Sequence, residues 1–401
     1  LATRPVLFRL FLQSIGHILA IAFGLLLPSV RARVPARRRL LALAVVPLFA
    51  VLQVLHWLGF LIDEVLFRGY RRVAVRRPVF VVGPPRSGTT FLHRLLAGDR
   101  RFTTFSTWEC LFAPSVTERM FWLALIHADR AVGAPAKRLI VWLTARLTGR
   151  LEAVHAVALA APEEDYLVFL QAAACFILVV GVPHAEAVWR MGYFDRALKP
   201  GHRRQLMTFY RRCLQKHLYV HGAHKTLLSK NASFAPLVRS LYETFPDARV
   251  ICTMRDPLEV VPSQLSSVRA GLKGLEPGAV TAFDRRMVDV LRFHYRNLLT
   301  VLAERPRSHQ VVVSMQRTKG DPVGTLGGVY RRLEIPMDPA FRAHLEARAD
   351  AVRRHESRHR YDLAQFGLTE QAIRVRFRHA YRRYDFAGGA LREPVAGVMG
   401  S

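Results

Sequence analysis

Two long apolar stretches open the chain. Residues 5–30 read PVLFRLFLQSIGHILAIAFGLLLPSV and residues 40–62 read LLALAVVPLFAVLQVLHWLGFLI. As helices rising about 1.5 Å per residue, each is long enough to reach across a hydrocarbon layer. The pattern changes near residue 76. A short, mostly β-branched run, Val79-Phe80-Val81-Val82, stops at Gly83 and predicts a buried strand. Comparable runs recur at Thr226–Asn231, Arg249–Met254 and Val311–Ser314. Helical patterns lie between them, at Phe91–Ala97, Phe234–Phe245, the stretch that holds Ser263, and Leu326–Leu333. Short apolar strands alternating with helices predict an α/β fold with a parallel sheet and crossover helices.

The remaining stretches fit around that frame. Met120–Ala158 has mixed helical spacing, and residues 183–219 read as further helices, giving a helical insert around 115–220. Pro162-Glu163-Glu164-Asp165 predicts a first helical turn, because proline and acids suit a helix N-terminus. The same acids are a patch able to orient an acceptor or counter nearby arginines. Arg374–Arg383 is a basic helix with an apolar side, and the chain after Phe386 is a glycine-rich, flexible tail. The expected organisation is a hydrophobic, membrane-associating helical region over 1–75, a catalytic domain over 76–384 and a tail over 385–401.

The stretch from Arg77 to Leu92, RPVFVVGPPRSGTTFL, is the richest in chemistry. It reads as strand, tight loop and helix start. Gly83 and Gly88 permit backbone geometry that a side chain obstructs. Amides of the first helical turn then converge, where the helix dipole also favours an anion. Arg86 adds a cation, and Ser87, Thr89 and Thr90 add hydroxyls. The pattern predicts a P-loop-like phosphate or sulfate cradle. It is not a Walker A loop, since Thr89 stands where a kinase or ATPase of that type carries lysine. Arg255, at the end of the strand Arg249–Met254, falls on the same rim. Ser263, eight residues on, lies on the following helix, so arginine and hydroxyl can converge on one phosphate.

Charge sharpens this picture. The 401 residues carry 59 Lys and Arg against 30 Asp and Glu, a formal charge of +29. That excess favours anionic partners such as nucleotides, nucleic acid or an acidic membrane surface. With 51% hydrophobic residues the chain is not of disordered composition. Its four cysteines, Cys110, Cys175, Cys213 and Cys252, are far apart and form no zinc or disulfide framework. His217 and His221 have helical spacing without a third ligand, so no metal is expected.

With these residues in hand, the chain resembles the PAPS-dependent sulfotransferases of bacterial type, with partial similarity to tyrosylprotein sulfotransferases. PAPS is 3'-phosphoadenosine-5'-phosphosulfate. Pro85-Arg86-Ser87-Gly88-Thr89-Thr90 resembles the family's 5'-phosphosulfate loop, and Arg255 and Ser263 in RDPLEVVPS resemble its 3'-phosphate pair. The segments Phe245–Arg249, Pro162–Asp165, Tyr361–Leu363 and Phe366–Leu368 are also similar to family segments, over about residues 76–384. The resemblance implies a sheet of about five parallel strands, PAPS as donor, PAP as product and sulfuryl transfer to a hydroxyl or amine acceptor. No metal is required for this scheme.

The resemblance also proposes roles. Glu109 approximately matches the glutamate base of tyrosylprotein sulfotransferases, with a helix cap or ion pair as its other reading. Lys230 resembles a family lysine that holds the donor or its leaving phosphate. Arg86 would stabilise leaving-group charge, and Arg317 and Lys319 follow the last strand as secondary donor contacts.

Topology turns on RARVPARRR, five arginines between the apolar stretches, and on the basic Arg68–Arg77 after them. A hairpin in one leaflet, or helices lying in the interface, keeps all these charges on one side of the bilayer. The expected location is therefore the cytoplasmic face of a membrane, with a two-span protein as the alternative. A membrane lipid surface is an expected partner, and the acceptor is a small molecule, a lipid or another amphiphile. Specific nucleic acid is not expected, for lack of any recognised reading module. The competing functions are a non-enzymatic basic nucleotide- or nucleic-acid-binding module and a P-loop kinase.

Overall fold

The computed structural model of the chain describes residues 4–24, 27, 35–136, 138–139, 142, 162–273, 275–353 and 362–391. Five parallel strands form its centre: β1 (Val79–Val82), β2 (Phe102–Thr103), β3 (Thr226–Asn231), β4 (Arg249–Met254) and β5 (Gln310–Ser314). Their spatial order is β2-β3-β1-β4-β5, so the chain first builds to one side of β1 and then crosses to the other. Such a reversal opens a crevice beyond the carboxyl ends of the strands. Val81 pairs with Lys230 across β1 and β3, and Met254 with Ser314 across β4 and β5. This register sets the β1 loop, Lys230, Arg255 and Met315 along one rim.

Both sheet faces are covered, which is why the strands read as continuous apolar runs rather than alternating ones. Val79 and Val81 point into a layer with Leu92, Leu96, Ile251 and Val313. Phe80 and Val82 point the other way, toward Phe234, Phe245 and Val250. The α/β class and the parallel sheet inferred from the pattern are both present, and β3 and β4 coincide with the runs read from the sequence.

The amino-terminal helices are α1 (Arg4–Gly24) and α2 (Ala36–Leu66), both long and apolar enough to cross a membrane by length and composition. Each, however, docks one stripe on the catalytic body. Leu10, Ser14 and Ile18 of α1 are buried, as are His56, Trp57, Phe60, Asp63 and Glu64 of α2, at helical i, i+3, i+4 spacing. Trp57 stacks on Phe209 at 5.7 Å and donates Nε1 to Gln171 O at 2.9 Å. Asp63 accepts Lys216 Nζ at 2.7 Å and the first amides of a helix, α3 (Val116–Ala131), at 2.9 and 2.8 Å. The opposite stripes, including Phe8, Leu12, Leu19, Leu48, Val51, Leu55 and Leu58, are exposed.

The expected insert is helical where it is described, but residues 143–161 lie outside the described residues, as does the charged run 354–361. Two local expectations are corrected. Glu163 and Glu164 do not form a helical turn. The 3-10 helix starts at Asp165, because Asp165 is drawn into the core by Tyr210, Ser229 and Asn231. Arg317 and Lys319 sit on a short helix, Met315–Gly320, rather than in a loop.

Candidate active site

β1 feeds residues 83–88 directly into a helix, α4 (Thr89–Leu96). A Cβ on Gly83 would lie 2.4 Å from Thr253 Oγ1 and 2.5 Å from Thr253 O, so only glycine lets the loop rest on the end of β4. Gly88 adopts a φ of 95° and Arg86 a φ of 64°, both left-handed. The loop closes on itself through Ser87, whose Oγ donates to Pro84 O at 2.6 Å and meets Thr253 Oγ1 at 2.7 Å. Ser87 is therefore a buried brace, which corrects its expected role as a hydroxyl that positions the ligand. Gly88 provides no side-chain cap for α4, leaving the first-turn amides without a side-chain acceptor.

The two expected anion grips are joined. Arg86 Nε donates to Ser263 Oγ at 3.1 Å, and Arg255 Nη1 donates to the backbone oxygen of Arg86, also at 3.1 Å. Ser263 belongs to the helix Pro257–Arg269, capped by Asp256, which accepts Leu258 N at 2.9 Å. Arg255 is steadied by Glu259 at 2.5 Å, and Tyr295 donates to its carbonyl at 2.5 Å. Arg86, Gly88, Thr89, Thr90, Arg255 and Lys319 all line one cavity of about 1340 Å³. Pro85 lines it as well, whereas Ser87, Ser263, Lys230, Arg317 and Glu109 do not.

Lys230 ends β3 beside the loop and is buried. Its Nζ donates to Thr90 Oγ1 at 3.1 Å and to Glu164 Oε1 at 3.0 Å. Glu164 faces the cavity. Arg317 turns away and donates Nη2 to Gly388 O at 2.6 Å, clamping the carboxy-terminal hairpin whose Phe386 and Ala387 reach the cavity wall. The far wall is apolar, with Leu167, Phe176, Val179, Val180, Met287 and Leu291.

Glu109 is not at the cavity. It is 3% exposed and belongs to the short helix Thr107–Phe112, where Oε2 accepts Ser106 N at 2.8 Å and Ser106 Oγ at 2.6 Å in a capping box. Its Oε1 accepts His221 Nε2 at 2.6 Å and lies 3.4 Å from Arg119 Nη1. Burial pushes its carboxyl up, but Arg119 and the histidines outweigh that and hold it far below the carboxylate range. Buried away from the cavity and so engaged, Glu109 has the geometry of its other reading, a helix cap and ion-pair partner, rather than that of a base. Glu109, His217 and His221 do converge as metal ligands would. The Arg119 guanidinium, 3.1 Å from His217 Nδ1, puts a cation in that space already.

Glu164 escaped the site reading because the acidic patch also reads as a helix start. Only the fold shows it opposite Lys230. Phe91, next to Thr90, likewise lines the cavity and carried no polar signal in the sequence.

This loop-and-rim architecture is that of a nucleotide-dependent group-transfer enzyme. A sequence profile described as the sulfotransferase family matches residues 78–339. The chain therefore belongs to the sulfotransferase family. It is 27% identical over 273 residues to the omega-hydroxy-beta-dihydromenaquinone-9 sulfotransferases Stf3 of Mycobacterium bovis and Mycobacterium tuberculosis. That match covers 64% of this chain and 63% of each relative's length. Its fold is similar to sulfotransferase STF1 of Mycobacterium tuberculosis, at TM-score 0.66 and 20% identity over 92% of this chain and 91% of that one. STF9 of Mycobacterium avium is similar at TM-score 0.66 and 19% identity, over 86% of each chain.

Proposed function

We propose that this protein transfers a sulfuryl group from PAPS to the hydroxyl of an amphiphilic or lipid acceptor at a membrane surface. The observation that carries the reading is the joined pair of grips, Arg86–Ser263 and Arg255–Arg86, opening on a cavity with an apolar far wall. The loop amides, Arg86, Thr89 and Thr90 hold the phosphosulfate end, and Arg255 with Ser263 receives the 3'-phosphate. Lys319 is a third cation lining the cavity. Lys230 is set to meet charge growing on the leaving phosphate oxygen as the S–O(P) bond breaks.

Glu164 is the base in this scheme. It lines the cavity, and Lys230 Nζ at 3.0 Å fixes the orientation of its carboxylate. It takes the acceptor's proton as the acceptor oxygen bonds to sulfur, and PAP departs with the electron pair of the broken bond. The lipid acceptor is supported by the apolar wall and by the menaquinone-derived name of the mycobacterial relatives. Membrane contact is supported by the exposed apolar stripes of α1 and α2 and by the +29 charge. A monotopic seat on the cytoplasmic face fits helices that dock one side on the body and expose the other.

Incubation of membranes with labelled PAPS and the protein, followed by mass identification of the product, tests the reading. Label in a lipid with a new sulfate ester supports it. Transfer confined to water-soluble acceptors overturns the lipid part, and no transfer to any hydroxyl or amine overturns the whole.

A further inference from the structure

A second cavity, of about 480 Å³, shares no lining residue with the first. Its wall is built by the helix Pro200–His221, by the turn after α2 and by the helix Val238–Thr244. Arg71, Arg203, Arg204, Arg211 and Arg212 line it, against a single carboxylate, Glu243. Four of the five arginines come from one helix, where Arg204 and Arg211, seven residues apart, share a face and Arg203 and Arg212 flank it on either side.

Three of these arginines are held. Arg71 pairs with Glu64, Arg212 donates to Gln215 Oε1 at 3.4 Å, and Arg203 donates Nη1 to Asp195 O at 3.0 Å. Arg203 Nε is nonetheless buried with no hydrogen-bond partner. Among the described residues, Arg204 and Arg211 have no carboxylate within ion-pair distance. Five guanidinium groups around one concavity repel one another, and a multiply charged anion relieves that repulsion while accepting their forked donors. Nothing in sulfuryl transfer uses this cavity. Its strand-side neighbours are the segments that enter β1 and β4, Arg71 before Val79 and Thr244 before Arg249. It therefore lies toward the amino ends of the strands, opposite the rim that carries the donor grips.

The location points to the ligand's source. The helix Pro200–His221 also carries Phe209 and Lys216, which hold α2 through Trp57 and Asp63. Arg71 follows directly on α2, whose Leu58, Leu61, Val65 and Leu66 are exposed. An arginine cavity thus adjoins the end of an exposed apolar stripe, the arrangement a bilayer meets as acyl chains below and phosphates beside them. We infer that this cavity binds the phosphate headgroup of an anionic phospholipid. The inference rests on the membrane-surface reading above, and the test separates the two.

The protein is floated with vesicles of phosphatidylcholine alone and with vesicles containing phosphatidylglycerol, as wild type and as the variant Arg204→Ala/Arg211→Ala. Neither arginine has a partner to lose, and an unchanged Tm confirms an intact fold. The expected result is binding to both vesicle types by wild type, several-fold stronger with phosphatidylglycerol, and loss of that increment alone in the variant. Equal increments in wild type and variant overturn the cavity's role. Stabilisation by inorganic pyrophosphate that wild type shows and the variant loses, without any phosphatidylglycerol increment, assigns the cavity to a free anion and overturns the lipid source. Absence of binding to either vesicle removes the membrane-surface reading itself.

Discussion

Lys230 Nζ stands 3.0 Å from Glu164 Oε1, joining the end of β3 to the acidic segment that closes the cavity. Thr90 Oγ1 completes the contact at 3.1 Å. One buried cation thus ties the start of the helix after the glycine loop to a carboxylate that lines the cavity.

Glu164→Gln keeps size and loses the proton acceptor. We expect kcat to fall about 10²- to 10⁴-fold, the usual worth of a general base. The dissociation constant for PAP should stay within a few-fold. Full turnover in steady-state assays would remove Glu164 from the chemistry.

Arg86→Ala removes the guanidinium that reaches Ser263 and lines the cavity. A charged hydrogen bond is worth about 1.5–3 kcal/mol, so PAP should bind roughly 10- to 100-fold more weakly. Calorimetric titration reads this directly, with circular dichroism as the check on folding. Wild-type affinity would show that the grip lies elsewhere.

Glu109→Gln tests structure against catalysis. It leaves Arg119, which is 1% exposed, without its anionic neighbour. Breaking a buried pair costs about 3–5 kcal/mol. Urea unfolding should therefore show a large loss of stability, while turnover of the folded fraction is retained. A stable protein without turnover would restore Glu109 to the mechanism.

Gly83→Ala places a methyl within 2.6 Å of Thr253 and Ser87 atoms. The loop must move, so donor binding should drop at least tenfold while the strands persist. Unchanged PAP affinity would mean that the loop tolerates displacement.

Acid should destabilise the fold before it titrates ordinary carboxylates. Burial lowers His93 to about 3 and His294 to about 4, and it also lowers His217. Their folded pKa values lie below the unfolded 6.5, so the stabilisation is present above 6.5 and is lost as pH falls. Burial raises Asp165 to about 6 and also raises Asp195, which opposes the histidines, because a protonated acid is favoured in the fold. Burial also lowers His17, His202 and His379, so the histidines outnumber the two acids and stability falls between pH 6 and 5. Urea midpoints at pH 7, 6 and 5 test the sign, and a rise on acidification would refute it.

Much of this was legible beforehand because local signals agreed. Val79–Val82, Gly83 and Gly88 combine strand propensity, turn geometry and anion chemistry within a few residues, and β3 and β4 are apolar runs bounded by polar ends. Glu109 misled because a capping box and a catalytic carboxylate look alike along a chain. Its Arg119 and His221 partners come from other helices. Ser87 reads along the chain as a ligand contact because its inward turn depends on Thr253, 166 residues away. The arginine cavity was invisible for the same reason, since Arg71 and Arg203 meet only in the fold.

The Asp63–Lys216 pair is nearly sealed from water, its side chains 0% and 3% exposed. Peeling α2 from the body would strand both charges. The helix is therefore a rivet rather than a tether, and any depth it took in a lipid layer would be imposed on the cavity as well. An acceptor would be met at one fixed height, which turns the position of its hydroxyl along the molecule into a selection rule.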